Sequence, residues 1–187
     1  MADNKIVYGL SNVHIWKIES VSTEGVPTYG TAMRVPGAVS LSVSAQGDSN
    51  AFYADDIVYF QTVANNGYEG TIELADLPKE FLTEIMGEVA NTNGTLFENS
   101  DVQPSEFAMA FEFQGDQNAR RHLFYRVKPS RPDVASSTKQ QSIEPNTMTL
   151  NIACMAREDV HVVKARCEKG DADYATWFTA PVAPPTK

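Results

Sequence analysis

The chain has 187 residues and carries 24 acidic against 15 basic side chains, a net charge of −9 with the histidines neutral. That length suits one domain with a real core, and a hydrophobic share of 42% argues against wholesale disorder. A surface of this sign does not attract phosphate backbones; it gives solubility, or lets the protein stay close to nucleic acid without adhering.

The opening "MADNKIVYGL" lacks the apolar core of a signal peptide, and no apolar run approaches the ~18 residues that span a bilayer. Export by that route and membrane insertion are therefore not expected. A weak strand is predicted at 12–19. In "AVSLSVSAQG" Val39, Leu41, Val43 and Ala45 share one face, and Ser40, Ser42, Ser44 and Gln46 the other, the period of a half-buried strand. A polar connection over 46–55 and weaker strands at 56–63 and 69–75 follow. One helix is predicted over about 76–90. Asp76 would cap it, Pro78 suits its first turn, and Phe81, Leu82, Ile85, Met86 and Val89 would form its apolar face. The segment "NTNGT", 91–95, would end it.

In "EFAMAFEFQGD" Phe107, Met109, Phe111 and Phe113 alternate with Glu106, Ala108, Ala110, Glu112 and Gln114. With Leu123, Tyr125 and Val127 aligned in the next segment, 106–114 and 121–128 read as a hairpin. The stretch 128–146 holds three prolines and many small polar residues, longer than most loops of compact domains. Met148, Leu150, Ile152 and Cys154 mark another strand, and 160–167 a weaker one. The fold class expected is mainly β: an antiparallel sandwich or barrel with one flanking helix. Residues 1–180 would form a single domain and 181–187 a flexible, proline-rich tail.

Reactive chemistry is sparse. His14, His122 and His161 lie on separate predicted strands with no further ligand at metal spacing. Cys154 and Cys167 match no zinc or redox spacing, so a reducing compartment is the simpler expectation. No nucleophile elbow, zinc-protease or phosphate-loop pattern occurs. The carboxylate pairs Asp55–Asp56 and Glu158–Asp159, and the acidic run at 168–173, lack the ladder of a calcium loop and read as solvated turns. Neither catalysis nor a metal or other cofactor is expected. Arg120–Arg121 and the spaced Lys128, Arg131 and Lys139 suit salt bridges between copies of the chain better than a phosphate grip.

Two long runs, "GAVSLSVSAQGDSNAFYADDIVYFQTVANNGYEGTIELADLPKEFLTEIMGE" and "EFAMAFEFQGDQNARRHLFYRVKPSRPDVASSTKQQSIEPNTMTLNIACMA", resemble the major tail proteins of phages with long, non-contractile tails. The closing "KGDADYATWF" is similar to that family's end, so the resemblance spans roughly residues 5 to 180. It implies a tail tube subunit of the virion, assembled in the host cytoplasm. Its main partner would be itself, in stacked hexameric rings enclosing a channel for genome ejection. Tape measure, tail terminator and distal tail proteins would be further partners, with double-stranded DNA in transient, non-specific passage. The family fold it implies is a β-sandwich that contributes to a continuous inner barrel, with a helix on its flank. The extra C-terminal immunoglobulin-like domain that some relatives carry is not expected here.

On this reading a carboxylate ring would line the bore, acting only within a Debye length of ~8 Å. Glu106 and Glu112, and the serine face Ser40, Ser42 and Ser44, are the lining candidates. Asp48, Asp55, Asp56, Arg131, Asp133, Lys139 and Glu144 are the candidates for contacts between subunits and rings. The alternative is a carbohydrate- or receptor-binding β-sandwich module, with Trp16, Trp177, Tyr53, Tyr59 and Tyr68 as stacking surfaces.

Overall fold

The computed structural model describes residues 6–134 and 146–185. Among the described residues, twelve strands carry the fold. They are β1 (Leu10–Val21), β2 (Pro27–Arg34), β3 (Ala38–Ala45), β4 (Ser49–Ala54), β5 (Ile57–Val63), β6 (Tyr68–Leu74), β7 (Val89–Ala90), β8 (Leu96–Phe97), β9 (Phe107–Phe113), β10 (Arg121–Pro129), β11 (Met148–Met155) and β12 (Lys164–Cys167). An α-helix, α1 (Lys79–Glu84), joins β6 to β7.

Eight strands form one antiparallel sheet in the order β2-β1-β9-β10-β11-β6-β3. The eighth, β12, shares an edge of β10 with β11: Arg121 to Phe124 pair with β12, and Arg126 to Pro129 with β11. The sheet curls over a core in which Val13 and Ile15 of β1 meet Ile72 and Leu74 of β6. It is a large open sheet, not a closed barrel, because the terminal strands β2 and β3 are not paired to each other.

The period-two pattern explains the curl's inner surface. Phe107, Met109 and Phe111 of β9, Val127 of β10 and Leu150, Ile152 and Cys154 of β11 all enter this core. The alternate residues of β9 behave differently from the polar outer face expected of them. Ala108 and Ala110 are fully buried, in a second cluster with Trp16, Leu123, Tyr125, Cys167 and Trp177. The C-terminal segment covers that face: Trp177 lies within it, and Tyr174, Phe178 and Val182 pack against it. Trp16 donates its indole N–H to the Thr179 carbonyl, and Trp177 donates to that of His122. The stretch 179–185 thus begins as packed chain.

The helix is shorter than the periodicity predicts. It spans Lys79–Glu84, with Pro78 at its N-cap and no side-chain cap, while Asp76 bonds only to the N–H of its neighbour Leu77. Gly87, at φ +75°, takes a backbone conformation that L side chains rarely adopt, and the chain leaves the helix there. Phe81, Ile85 and Met86 reach the core as expected and Leu77 joins them; Leu82 is half-buried, and Val89 is 64% exposed. "NTNGT" is not a helix stop but the turn of the small β7–β8 hairpin. The polar connection expected over 46–55 is likewise corrected, because most of it is β4.

Candidate functional site

The features that stand out are surfaces. Among the described residues, no three of His, Cys, Asp and Glu gather as metal ligands, and every buried side-chain nitrogen and oxygen has a hydrogen-bond partner. Cys154 is enclosed by the core, and burial pushes its thiol up to about 12. His122 stacks on Phe111 at 5.3 Å between ring centres. Burial, then Arg120, Lys164 and Arg166, hold its imidazole below the usual histidine value.

The first surface is a ribbon. The β3–β6 pairing ends at Ala45 opposite Tyr68, and backbone bonds continue it: Gln46 N–H to Gly67 O, Asn66 N–H to Gln46 O, Ala64 N–H to Asp48 O. Beyond them β4 and β5 form a hairpin that pairs with no other strand among the described residues. Its tip is the two-residue loop Asp55–Asp56, with φ of +53° and +61°. Both values positive is the geometry that matches the strands' twist, and aspartate tolerates it better than most residues.

Register assigns the hairpin's side chains to two faces. Ala54 opposes Ile57, Phe52 opposes Phe60 and Asn50 opposes Thr62 on one; Tyr53 opposes Val58, Ala51 opposes Gln61 and Ser49 opposes Val63 on the other. Tyr59 is the extra residue of a bulge. Phe52, Tyr53, Ile57, Val58, Tyr59, Phe60 and Val63 are all exposed. Apolar groups therefore stand in water on both faces, on an element marginally stable by itself.

The second surface is the polar face of β3, β6 and β11. Cross-strand partners lie in rows: Ser40, Glu73 and Thr149; Ser42, Thr71 and Asn151; Ser44, Glu69 and Ala153. Ser40 donates to one Glu73 oxygen at 2.9 Å and Thr147 to the other. These two hydroxyls, Thr147 foremost, hold the Glu73 carboxyl below its usual range. On β3, β6 and β11 these rows hold two carboxylates, and Lys128 of β10, opposite Ala153, extends the third row with a cation. A shallow groove of about 580 Å³ is lined by Ser44, Glu69, Thr71, Asn151 and Ala153 of these rows together with Lys128 and Ser130. Gly70 permits the close approach of β3, since a Cβ there would lie 1.9 Å from the Ser42 carbonyl oxygen.

The remaining candidates are dispersed. Glu112 accepts from Arg121 at 2.9 Å and from Asn12 at 3.2 Å, and Glu106 pairs with Arg126, which also reaches Glu158. Both glutamates are half-buried in ion pairs and lie on a different part of the sheet from the serine rows. Arg131 pairs with Glu98 and donates to the carbonyls of Asn99 and Val102, tying its segment to the 98–102 loop. Asp48 and Asp133 are exposed, while Lys139 and Glu144 lie outside the described residues. Of the aromatic candidates, Trp16 and Trp177 are buried and Tyr68 packs on Phe124; only Tyr53 and Tyr59 are exposed.

Glu69 and Glu73 were not singled out from the sequence, although their alternation in "YEGTIEL" carried the signal. A scan against protein-family models found no match for the chain, and a search of curated proteins found none either.

Proposed function

We propose that this chain is a structural subunit that polymerises with itself into stacked rings, building the hollow tail tube of a phage with a long, non-contractile tail. The observation that carries this reading is the β4–β5 hairpin, a projecting ribbon with apolar side chains on both faces. A solitary soluble protein gains nothing from such an element and risks aggregation; a polymer subunit needs one. The outer edges of β2 and β3, unpaired among the described residues, add strands to which a neighbour can bond.

The polar face of β3, β6 and β11 supports the conduit part of the reading. Ser40, Ser42, Ser44, Thr71, Thr149 and Asn151 offer uncharged polar groups, and Glu69 and Glu73 add negative charge. Repeated around a ring, the two carboxylates of that face repel DNA phosphates, and the Lys128 cation adjoining its third row leaves the balance negative. It is a better lining than Glu106 and Glu112, whose charges are answered by Arg126 and Arg121. Hexameric rings, and contacts with tape measure, terminator and distal tail proteins, rest on the sequence resemblance.

A carbohydrate-binding module explains less. The exposed Tyr53 and Tyr59 suit sugar stacking, but Ile57, Val58 and Val63 beside them are equally exposed and give a sugar no specific contact. Sedimentation velocity of the purified chain over rising concentration tests the proposal. Discrete large assemblies are expected; a species that stays at 20.5 kDa at every concentration overturns it.

A further inference from the structure

A groove of about 390 Å³ opens between the inner face of β3, at Leu41 and Val43, and the aromatic surface of Phe111, Phe113 and Phe124, with Lys164 at its mouth. β3 ends the sheet at this point, so no further strand of the described residues closes the gap. The lip is basic: Lys164 and Arg166 are both exposed and border the adjoining hollow with His122.

We propose that this groove receives the tip of the β4–β5 hairpin of a second copy of the chain. The inference rests on the self-assembly reading and names the two surfaces that meet. Three observations carry it. The hairpin's Phe52, Phe60 and Ile57 share one exposed apolar face, of the chemistry that lines the groove. Asp55 and Asp56 lead that face, and the cations Lys164 and Arg166 stand where a docked tip would arrive. Finally, the chain's own hairpin does not fill its own groove. It grows out of β3 and β6, the strands that form one wall, through the backbone bonds at Gln46, Ala64 and Asn66. Folding back would break that ribbon.

A donor surface and a different acceptor surface on one chain make a head-to-tail contact. Each subunit gives one hairpin and receives another, and repetition yields a closed ring or an open helical filament, not a two-fold dimer.

Two single-cysteine variants of the full chain, Phe60→Cys and Val43→Cys, are mixed and oxidised. The native Cys154 and Cys167 are buried and stay out of the reaction. A disulfide-linked dimer forming in the mixture, well above either variant alone, is the expected result. In parallel, Asp55→Asn/Asp56→Asn and Lys164→Glu/Arg166→Glu each slow assembly about tenfold or more at low salt, and Asp55→Lys/Asp56→Lys combined with Lys164→Glu/Arg166→Glu restores it. Circular dichroism confirms that each variant is folded. Wild-type assembly with no mixed dimer and no effect of the charge changes overturns the docking while leaving self-assembly intact. A wild-type chain that never assembles overturns both.

Discussion

Phe52 and Phe60 face each other across the β4–β5 hairpin and are 62% and 59% exposed. A cross-strand aromatic pair contributes roughly 0.2–1 kcal/mol to a hairpin. Covering a phenylalanine side chain completely is worth about 1.5–3 kcal/mol each, so a partner has more to offer these rings than they offer each other.

Replacing both, as Phe52→Thr/Phe60→Thr, separates folding from assembly. The rings contribute little to the monomer, so its stability should shift by no more than about 1 kcal/mol in thermal or urea unfolding. The same variant should remain a single small species in sedimentation at concentrations where the parent polymerises.

The C-terminal cover has its own anchor. The Arg121 guanidinium lies 3.7 Å from the centre of the Tyr174 ring and 4.7 Å from that of Phe178, and it also donates to Glu112. Arg121→Ala should cost about 1–3 kcal/mol through these contacts. Trp177 fluorescence should shift to the red as its cover loosens. An unchanged spectrum would show that the segment holds without this residue.

The helix face should prove unequal. Phe81 is 2% exposed and meets Phe107 edge-on at 6.0 Å, so Phe81→Ala should cost about 3–5 kcal/mol. Leu82→Ala removes a half-buried side chain and should cost clearly less. Val89→Ala, on the exposed β7, should stay within about 0.5 kcal/mol. Chemical denaturation of the three variants ranks them.

Stability should fall with acid in two stages. Burial, then Arg120, Lys164 and Arg166, depress the His122 pKa below 6.5, so the unfolded chain takes up a proton that the folded one resists. That contribution is complete above pH 6.5 and is lost as pH falls through the folded value. Asp116, held by Arg120, and Asp159, held by Arg157, are depressed below 3.8; their contribution is lost only below that pH. Urea midpoints measured against pH should show both stages. His122→Gln should flatten the first and Asp116→Asn should weaken the second.

Much of the fold was legible where polar and apolar residues alternate cleanly. The serine rows of β3, the Phe/Met face of β9 and the apolar face of β11 all follow directly from their sequences. β2 is not legible because "PTYGTAMR" has no period of two and contains Pro27 and Gly30. β4 is hidden because its hairpin is apolar on both faces, which erases alternation, and because Asp55–Asp56 replaces the usual Asn-Gly turn. The burial of Ala108 and Ala110 was masked by their small size beside two glutamates, although "FAMAF" is a continuous apolar run of the kind found in strands buried on both faces. The C-terminal cover left one signal, Tyr174, Trp177 and Phe178 at near-helical spacing, inside a segment that composition marks as acidic turn. The pairing of Glu106 and Glu112 with arginines of β10 depends on strand register, which no local pattern encodes.

Negative-stain electron microscopy of the concentrated, purified full chain tests the central claim most directly. Hollow tubes of uniform width built from stacked rings are expected, and they should be absent from the Phe52→Thr/Phe60→Thr variant. Dispersed single particles from the unaltered chain at every concentration would contradict it.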